Sequence, residues 1–382
     1  MILNKVGYSY NDLKIVPAVY SEVNSRSQCN PFYEDGMLPI FASCMSTVVD
    51  DKNYEIFEKN KITPVIPRNI ELTKRLCLMN DGKWIALSLS EFKDYFVNRP
   101  HIPHKIYNVC VDIANGHMVD LYEACKEAKR LSFANEYCVN IMAGNIANPE
   151  TYEWICVNNK LFNPNTRIWE ACIDYIRLSI GTGSECTTSS NVGCHYPIAS
   201  LIDECYQIKQ RLYAEELETP IPLPMLVADG GIRNFDHINI ALALGADYVM
   251  IGGLFAEMYE SASPLMLKTL PNDWTGRAYF EADYQYTDES KKRNDIKNRE
   301  LYKECYGMST KKAQALIGKA NKTAEGKHSM LRVRYTLKQW TENMESYLRS
   351  IMSYCNAFTL EDYIGKQKLI PCSPGTMLAI NK

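Results

Sequence analysis

Tyr175-Ile-Arg-Leu-Ser-Ile-Gly-Thr-Gly-Ser-Glu-Cys-Thr-Thr188 begins as an apolar run and ends as a glycine loop carrying one cysteine. Its first six residues read as a buried strand. Gly181 and Gly183 then permit backbone shapes that a side chain would forbid, so the loop can turn tightly and approach a ligand closely. At the tip, Cys186 is followed by the hydroxyls of Thr187 and Thr188. A thiol there, among hydroxyls and free amides, suits covalent catalysis, because the thiolate is the attacking species. The plain alternative is an ordinary cysteine, since the chain has 14 of them.

Seven more apolar runs repeat the strand part of this unit: Pro39–Ser43, Ile62–Ile66, Trp84–Leu89, Ile106–Asp112, Cys138–Met142, Met225–Asp229 and Tyr248–Ile251. Amphipathic stretches separate them, among them Met118–Leu131, Tyr196–Leu212 and Asp236–Leu244. Near-continuous apolar strands alternating with helices imply a parallel sheet covered by helices. Eight such units predict an α/β fold of the closed (β/α)8 barrel type, whose chemistry sits at the C-terminal ends of the strands. Polar and glycine residues gather at those ends: Ser43-Cys-Met-Ser-Thr47, Pro67-Arg-Asn69, Asp112-Ile-Ala-Asn-Gly-His117, Ala143-Gly-Asn145, the cysteine loop, Asp229-Gly-Gly-Ile-Arg233 and Gly252-Gly-Leu-Phe255.

Two ends carry specific physics. Gly252-Gly253 precede Leu254–Glu260, which reads as a short helix, and amides at such a start suit a phosphate. Asp229 before Gly230-Gly231 offers a carboxylate to a ribose diol. The plain readings are a tight turn for the glycines and a helix N-cap for Asp229. Both motifs in barrel register favour a nucleotide. The chain is thus expected to be one barrel domain over residues 1–382, with a flap or excursion at about 267–326 and a C-terminal helix at about 339–356. Met1–Pro31 reads as irregular, and 272–299 as a solvated excursion.

Composition excludes several alternatives. Net charge is -3 with a pI of about 6.1, which points to neither nucleic acid nor a membrane surface. No apolar run approaches the ~20 residues of a membrane helix. The cysteines form neither a C-x-x-C pair nor a histidine-containing cluster, and no signal peptide is read at the N-terminus. Reduced thiols in a cytoplasmic compartment are therefore expected.

Over nearly its full length the chain resembles the inosine monophosphate dehydrogenase/GMP reductase family. Gly181-Thr-Gly-Ser-Glu-Cys-Thr-Thr188 looks like the family's catalytic cysteine signature. Val227-Ala-Asp-Gly-Gly-Ile-Arg233 looks like its ribose-binding strand end, and Ile251–Ala256 with Glu260-Ser261 like its phosphate-binding turn. Asp112-Ile-Ala-Asn-Gly116 and Met142-Ala-Gly-Asn145 match further active-site strand ends. No stretch is long enough for the dehydrogenases' inserted regulatory module. The segment from Tyr306-Gly-Met-Ser309 to Ala324-Glu-Gly326 is short, as in the reductases, and lacks the dehydrogenases' Arg-Tyr pair.

The resemblance implies an NADPH-dependent reductive deamination of GMP to IMP and ammonia through a cysteine thioimidate. It implies Cys186 as nucleophile and Thr188 and Glu325 as acid/base partners. Asp229, Gly230, Gly231, Gly252, Gly253 and Ser309 would hold ribose and phosphate, with Met308 and Gly326 lining the base. Asp112, Ala114, Asn115, Arg68 and Lys322 would face the nicotinamide cofactor. Carbonyls of Gly181, Gly183 and Cys186 match a potassium-binding loop. A purine nucleoside monophosphate is the implied partner, and a homotetramer the implied assembly. Thr182, Glu185, Ser189, Ser46, Arg68 and Lys322 depart from the usual family residues, and the excursion from Leu267 to Arg299 is long. Two other readings stand beside the reductase: an IMP dehydrogenase using NAD, and a nucleotide-binding regulatory homologue with weak or no catalysis.

Overall fold

The computed structural model describes residues 5–99, 102–183, 186–215, 222–269, 283–286, 301–307, 310–318 and 326–380. In chain order its strands are β1 (Leu13–Val16), β2 (Ile40–Ala42), β3 (Thr63–Ile66), β4 (Trp84–Leu87), β5 (Ile106–Val111), β6 (Cys138–Ile146), β7 (Lys160–Asn163) and β8 (Ile168–Ala171). They continue with β9 (Tyr175–Leu178), β10 (Met225–Asp229), β11 (Tyr248–Ile251), β12 (Leu265–Thr269), β13 (Asp283–Tyr286), β14 (Leu301–Tyr306), β15 (His328–Arg332) and β16 (Lys368–Pro371). β2, β3, β4, β5, β6, β9, β10 and β11 close into an eight-stranded parallel barrel, with β11 pairing back to β2. Helices between the strands cover the outside, so this is the expected (β/α)8 barrel.

Strand periodicity decides what the barrel holds. Successive side chains alternate between faces, so Tyr175 and Arg177, Val227 and Asp229, and Tyr248 and Met250 share the inner face of their strands. Aromatic rings plug the N-terminal end: Phe41 lies 5.5 Å from Trp84, 5.9 Å from Tyr175 and 5.0 Å from Tyr248, ring centre to ring centre. Val65, Ala86, Cys110, Met142, Val227 and Met250 fill the space with them. The outer faces of the strands and the inner faces of the helices form the larger second core. Polar inner-face residues are left for the last layer, at the C-terminal mouth.

Expected elements and observed ones coincide over the barrel, where β6 runs on to Ile146, past the expected Met142. The three expected helices appear as Val119–Ala134, Ile198–Glu215 and Phe235–Ala243, and the C-terminal one as Leu337–Tyr354. Three regions differ. The N-terminal segment is not wholly irregular: β1 pairs antiparallel with β16 and ties the two ends of the chain together. β7 and β8 form a hairpin between β6 and β9. The region after β11 is an antiparallel sheet in the order β13-β12-β14-β15, not only a solvated excursion. Asp283–Tyr286 pair there, although most of 272–299 lies outside the described residues. The helix expected at Leu254–Glu260 is confined to Gly253–Ala256. Beyond it the chain turns extended, and Met258 makes a parallel bridge to Tyr335.

Candidate active site

The cysteine loop leaves β9 through Ser179, whose φ of 133° is rare for a residue with a side chain. Its hydroxyl bonds that of Thr182, the residue in the usual proline position. Gly181 follows with φ 76°, and a Cβ on it would lie 2.9 Å from the Ser189 nitrogen. Glycine is thus dictated by conformation and space together. Ser189, in the usual arginine position, donates its hydroxyl to the Gly181 carbonyl at 3.0 Å. The Cys186 amide donates to the Gly183 carbonyl at 3.0 Å. These bonds close the loop on itself and hold Cys186, half-buried, at its tip. The thiol donates to the Thr188 hydroxyl at 3.2 Å.

Cys186 faces a cavity of about 430 Å³, within the range that takes a small-molecule ligand. Gly183, Asp229, Gly230, Gly231, Gly252 and Gly253 line it from the barrel, with Ser43 and Met45 beneath. A Cβ on Gly252 would meet the Met45 sulfur at 2.5 Å, so a larger residue there would displace the Met45 side chain that lines the cavity. Gly230 must be small: a Cβ there would meet the Thr182 hydroxyl at 2.7 Å, and its φ is 103°. From the antiparallel sheet and its exit strand come Gly307, Leu331 and Arg334. Gly326 bridges antiparallel to Cys186, so this sheet is laid directly against the cysteine loop.

Beneath the cavity a chain of charges crosses the barrel mouth. Arg68 donates through Nε to one Asp112 oxygen at 2.9 Å, and Arg177 to the other at 3.2 Å. Arg177 also lies 3.6 Å from Asp229, whose carboxylate accepts from Asn145 at 2.8 Å. Burial pushes the Asp112 carboxyl up, yet the two guanidiniums outweigh it and hold it below the usual range. Asp229 moves the other way: burial raises it, and Arg177 and Asn145 offset this only in part. Behind the ribose-side turn, His237 accepts the Arg233 amide at Nδ1 (3.2 Å) and meets Asn11 Oδ1 through Nε2 (2.9 Å). The same Nδ1 lies 3.2 Å from the Gly231 carbonyl, so this nitrogen faces a donor and an acceptor at once. Burial lowers its pKa.

Of the residues singled out by sequence, the structure brings Cys186, Thr188, Asp229, Gly230, Gly231, Gly252, Gly253, Gly183 and Gly326 together. Asp112 and Arg68 form one ion pair beside them. Ala114 and Asn115 stand exposed on the rim, outside this cavity. Glu325, Lys322, Met308 and Ser309 lie outside the described residues. Asp229 heads no helix, so the N-cap reading falls away. Sequence reasoning passed over Arg177, Glu257 and Arg334. An arginine in the middle of an apolar strand, at the parity of Tyr175, was a usable signal for Arg177. Glu257 and Arg334 gave none, because only the fold brings them to one cavity.

Comparison with known proteins agrees with this geometry. A family model described as IMP dehydrogenase / GMP reductase domain matches residues 99–378, well over half of the chain. A protein of Exiguobacterium sp. named GMP reductase is 26% identical over 374 residues, 93% of this chain and 92% of its own. One of Lactococcus lactis subsp. cremoris with the same name is 25% identical over 381 residues, 95% of each chain. A GMP reductase of Buchnera aphidicola is 26% identical over 306 residues, 78% of this chain and 71% of its own. The chain belongs to the IMP dehydrogenase / GMP reductase family, as a divergent member.

Proposed function

We propose that this member of the family is a GMP reductase, an oxidoreductase that converts GMP to IMP and ammonia with NADPH. The observation that carries the reading is one cavity lined by a loop-tip thiol, a half-buried carboxylate before two glycines, and the Gly252-Gly253 turn. The relatives that cover the chain almost end to end, and are named GMP reductase, support it.

In this reading the Asp229 carboxylate accepts hydrogen bonds from the ribose diol, which places the purine over Cys186. The Cys186 thiolate attacks purine C2. The exocyclic amine departs as ammonia once protonated, because a free amide ion is too poor a leaving group. The thiol-to-hydroxyl bond at 3.2 Å makes Thr188 the near proton relay. Glu325 is assigned the outer acid on the family resemblance alone. Departure of ammonia leaves a thioimidate at C2. NADPH, when bound, supplies the hydride that this carbon takes before the Cys186 sulfur leaves.

Arg177 Nε and Asn69 Oδ1 are buried and lack partners among the described residues, but neither residue lines the cavity. Asp112, Arg68, Ala114, Asn115 and, by resemblance, Lys322 are assigned to the cofactor side. Potassium is assigned to the carbonyls of Gly181, Gly183 and Cys186 on the family resemblance. The Gly181 and Gly183 carbonyls each accept one hydrogen bond from this chain, which leaves each a second lone pair for a cation; no step is assigned to the ion. A homotetramer in a cytoplasmic, reducing compartment completes the proposal, in keeping with 14 free cysteines. Among the described residues no helix is long and apolar enough to cross a membrane.

The test is nicotinamide absorbance with purified protein. GMP with NADPH should lose the absorbance of the reduced cofactor and release ammonia. Absorbance gained with IMP and NAD, and none lost with GMP, would place the chain among the dehydrogenases.

A further inference from the structure

The cavity wall across from Cys186 carries a pair that the proposed chemistry does not use. Glu257 ends the short helix after Gly252-Gly253, and its carboxylate lies 3.1 Å from Arg334 Nε. Both line the cavity. The Glu257 side chain is 17% exposed and that of Arg334 66%, so the acid is set into the wall and the base stands over the opening. Their backbones are fixed to one another. The Arg334 amide donates to the Glu257 carbonyl at 3.4 Å, and the Tyr259 amide to the Tyr335 carbonyl at 3.0 Å. One residue further, Glu260 accepts the amide of Leu337, at the start of the C-terminal helix, at 2.8 Å. The strand leaving the antiparallel sheet is thereby laid along the end of the barrel's last unit, with Arg334 at the cavity edge.

A guanidinium presents a planar fork of donors suited to the paired oxygens of a phosphate. Here Nε meets Glu257, which leaves the Nη end as the part that can turn to a ligand. A carboxylate set into the wall of a cavity that takes a phosphate dianion repels it unless a cation stands between them. Resting on the reading of this cavity as a purine nucleotide site, we propose that Arg334 is a specificity-determining residue that reads the 5′-phosphate, and that Glu257 is the positioning residue that aims it. Selection of nucleoside monophosphates over nucleosides then depends on a residue of the appended sheet's exit strand, not on the barrel alone.

The experiment is calorimetric titration of the full chain with GMP and with guanosine, for wild type, Arg334→Ala, Glu257→Gln and the double variant. Arg334 is largely exposed and Glu257→Gln keeps an oxygen acceptor, so these proteins should fold; a thermal melt checks this. Arg334→Ala should weaken GMP binding about ten-fold or more and leave guanosine unchanged. In the Glu257→Gln background, where an acceptor remains but not the charge, Arg334→Ala should still weaken GMP binding, by less than in wild type; an equal loss in both backgrounds removes Glu257 from the positioning role. If that loss vanishes there, Arg334 only masks Glu257, and the proposal is overturned. An equal loss for guanosine overturns it too. Turnover separates this from the reductase reading. A protein that does not reduce GMP, yet loses affinity for IMP or AMP and not for their nucleosides on Arg334→Ala, refutes the reading and keeps the proposal. Failure to bind any purine monophosphate overturns both.

Discussion

The barrel mouth and the antiparallel sheet beside it build one cavity by opposite means. In the barrel, parallel register and the two-residue alternation of strands put Arg177, Asp229 and Asp112 in one polar layer, tied together with Arg68 and Asn145 by four contacts of 2.9, 3.2, 3.6 and 2.8 Å. Cys186 is held by a loop closed on itself by the Gly183 and Gly181 carbonyls. The sheet β12–β15 reaches the same cavity from 265–334, with Gly307, Leu331 and Arg334 and the Gly326 bridge to Cys186. Cys186, Thr188 and Asp229 thus sit on the closed barrel, and Arg334 on the element added to it. Chemistry that tolerates little misplacement belongs on the first. The comparison predicts that barrel variants lose turnover or core binding, whereas sheet variants lose selectivity and local order.

The largest effect is expected at the barrel loop. Cys186→Ala removes the nucleophile, so GMP turnover should fall by about 10⁴-fold or more. GMP affinity by calorimetry should stay within a few-fold of wild type, because Asp229 and the glycine turn remain. Residual turnover near wild type would remove Cys186 from the mechanism and break the assignment of chemistry to the barrel.

Asp229→Asn comes next and makes a two-sided test. Loss of the charged acceptor should weaken GMP binding by about 10- to 100-fold. Stability should move the other way. Burial raises the Asp229 carboxyl, so its contribution is present below the ordinary value of about 3.9 and is lost as pH rises through the raised folded value. At pH 7 the charge is therefore held at a cost. The Asn variant should melt higher than wild type at pH 7, with the gain shrinking toward pH 4. A lower melting temperature at pH 7 would show that Arg177 and Asn145 stabilise the carboxylate more than burial penalises it.

The same two regions explain what could be read from the chain alone. Runs such as Met225–Asp229 and Tyr248–Ile251 are apolar because both faces of a barrel strand are covered, and eight of them specify the barrel. Asp229 and Cys186 were legible because polarity at the end of such a run has no packing role. Arg177 was harder: its charge is compensated by Asp112 and Asp229, which lie on other strands. β7 and β8 carry few buried residues and so leave little pattern. β1 is recognised as a strand only through β16, at the far end of the chain. Glu257 and Arg334 meet through the path of the added sheet, which no local periodicity encodes.

The sheet's own weak point is Lys303 on β14, which is 1% exposed and donates to the carbonyls of Ser261 and Ser263 at 2.9 and 2.5 Å. Lys303→Met keeps much of the buried stem but leaves the two carbonyls without this donor. A destabilisation of about 2–3 kcal/mol is expected. It should be local. Hydrogen exchange should speed up in β14 and β15 and stay slow in the barrel strands. Uniform loss of protection would show that sheet and barrel unfold as one unit, which would erase the distinction drawn between them.

The smallest effect crosses from one region's chemistry to its pH response. His237 is neutral in the fold because burial lowers its pKa, and its Nδ1 accepts the Arg233 amide next to the ribose-side glycines. A depressed base stabilises the fold fully above its unfolded value of about 6.5, and that contribution is lost as pH falls toward the folded value. His117, also lowered by burial, adds to the same slope. The decisive quantity is thus a difference between proteins. Between pH 7.5 and 5.5 wild type should lose more melting temperature than His237→Gln, which cannot take up a proton in that range. Protonation also exchanges the acceptor for the Arg233 amide for a donor to the Gly231 carbonyl, so the KM for GMP should change in acid for wild type and change less for the variant. A parallel fall of both melting curves, with identical KM profiles, would mean that the ribose-side turn does not depend on this ring, and that the barrel's loops are held by the glycine geometry alone.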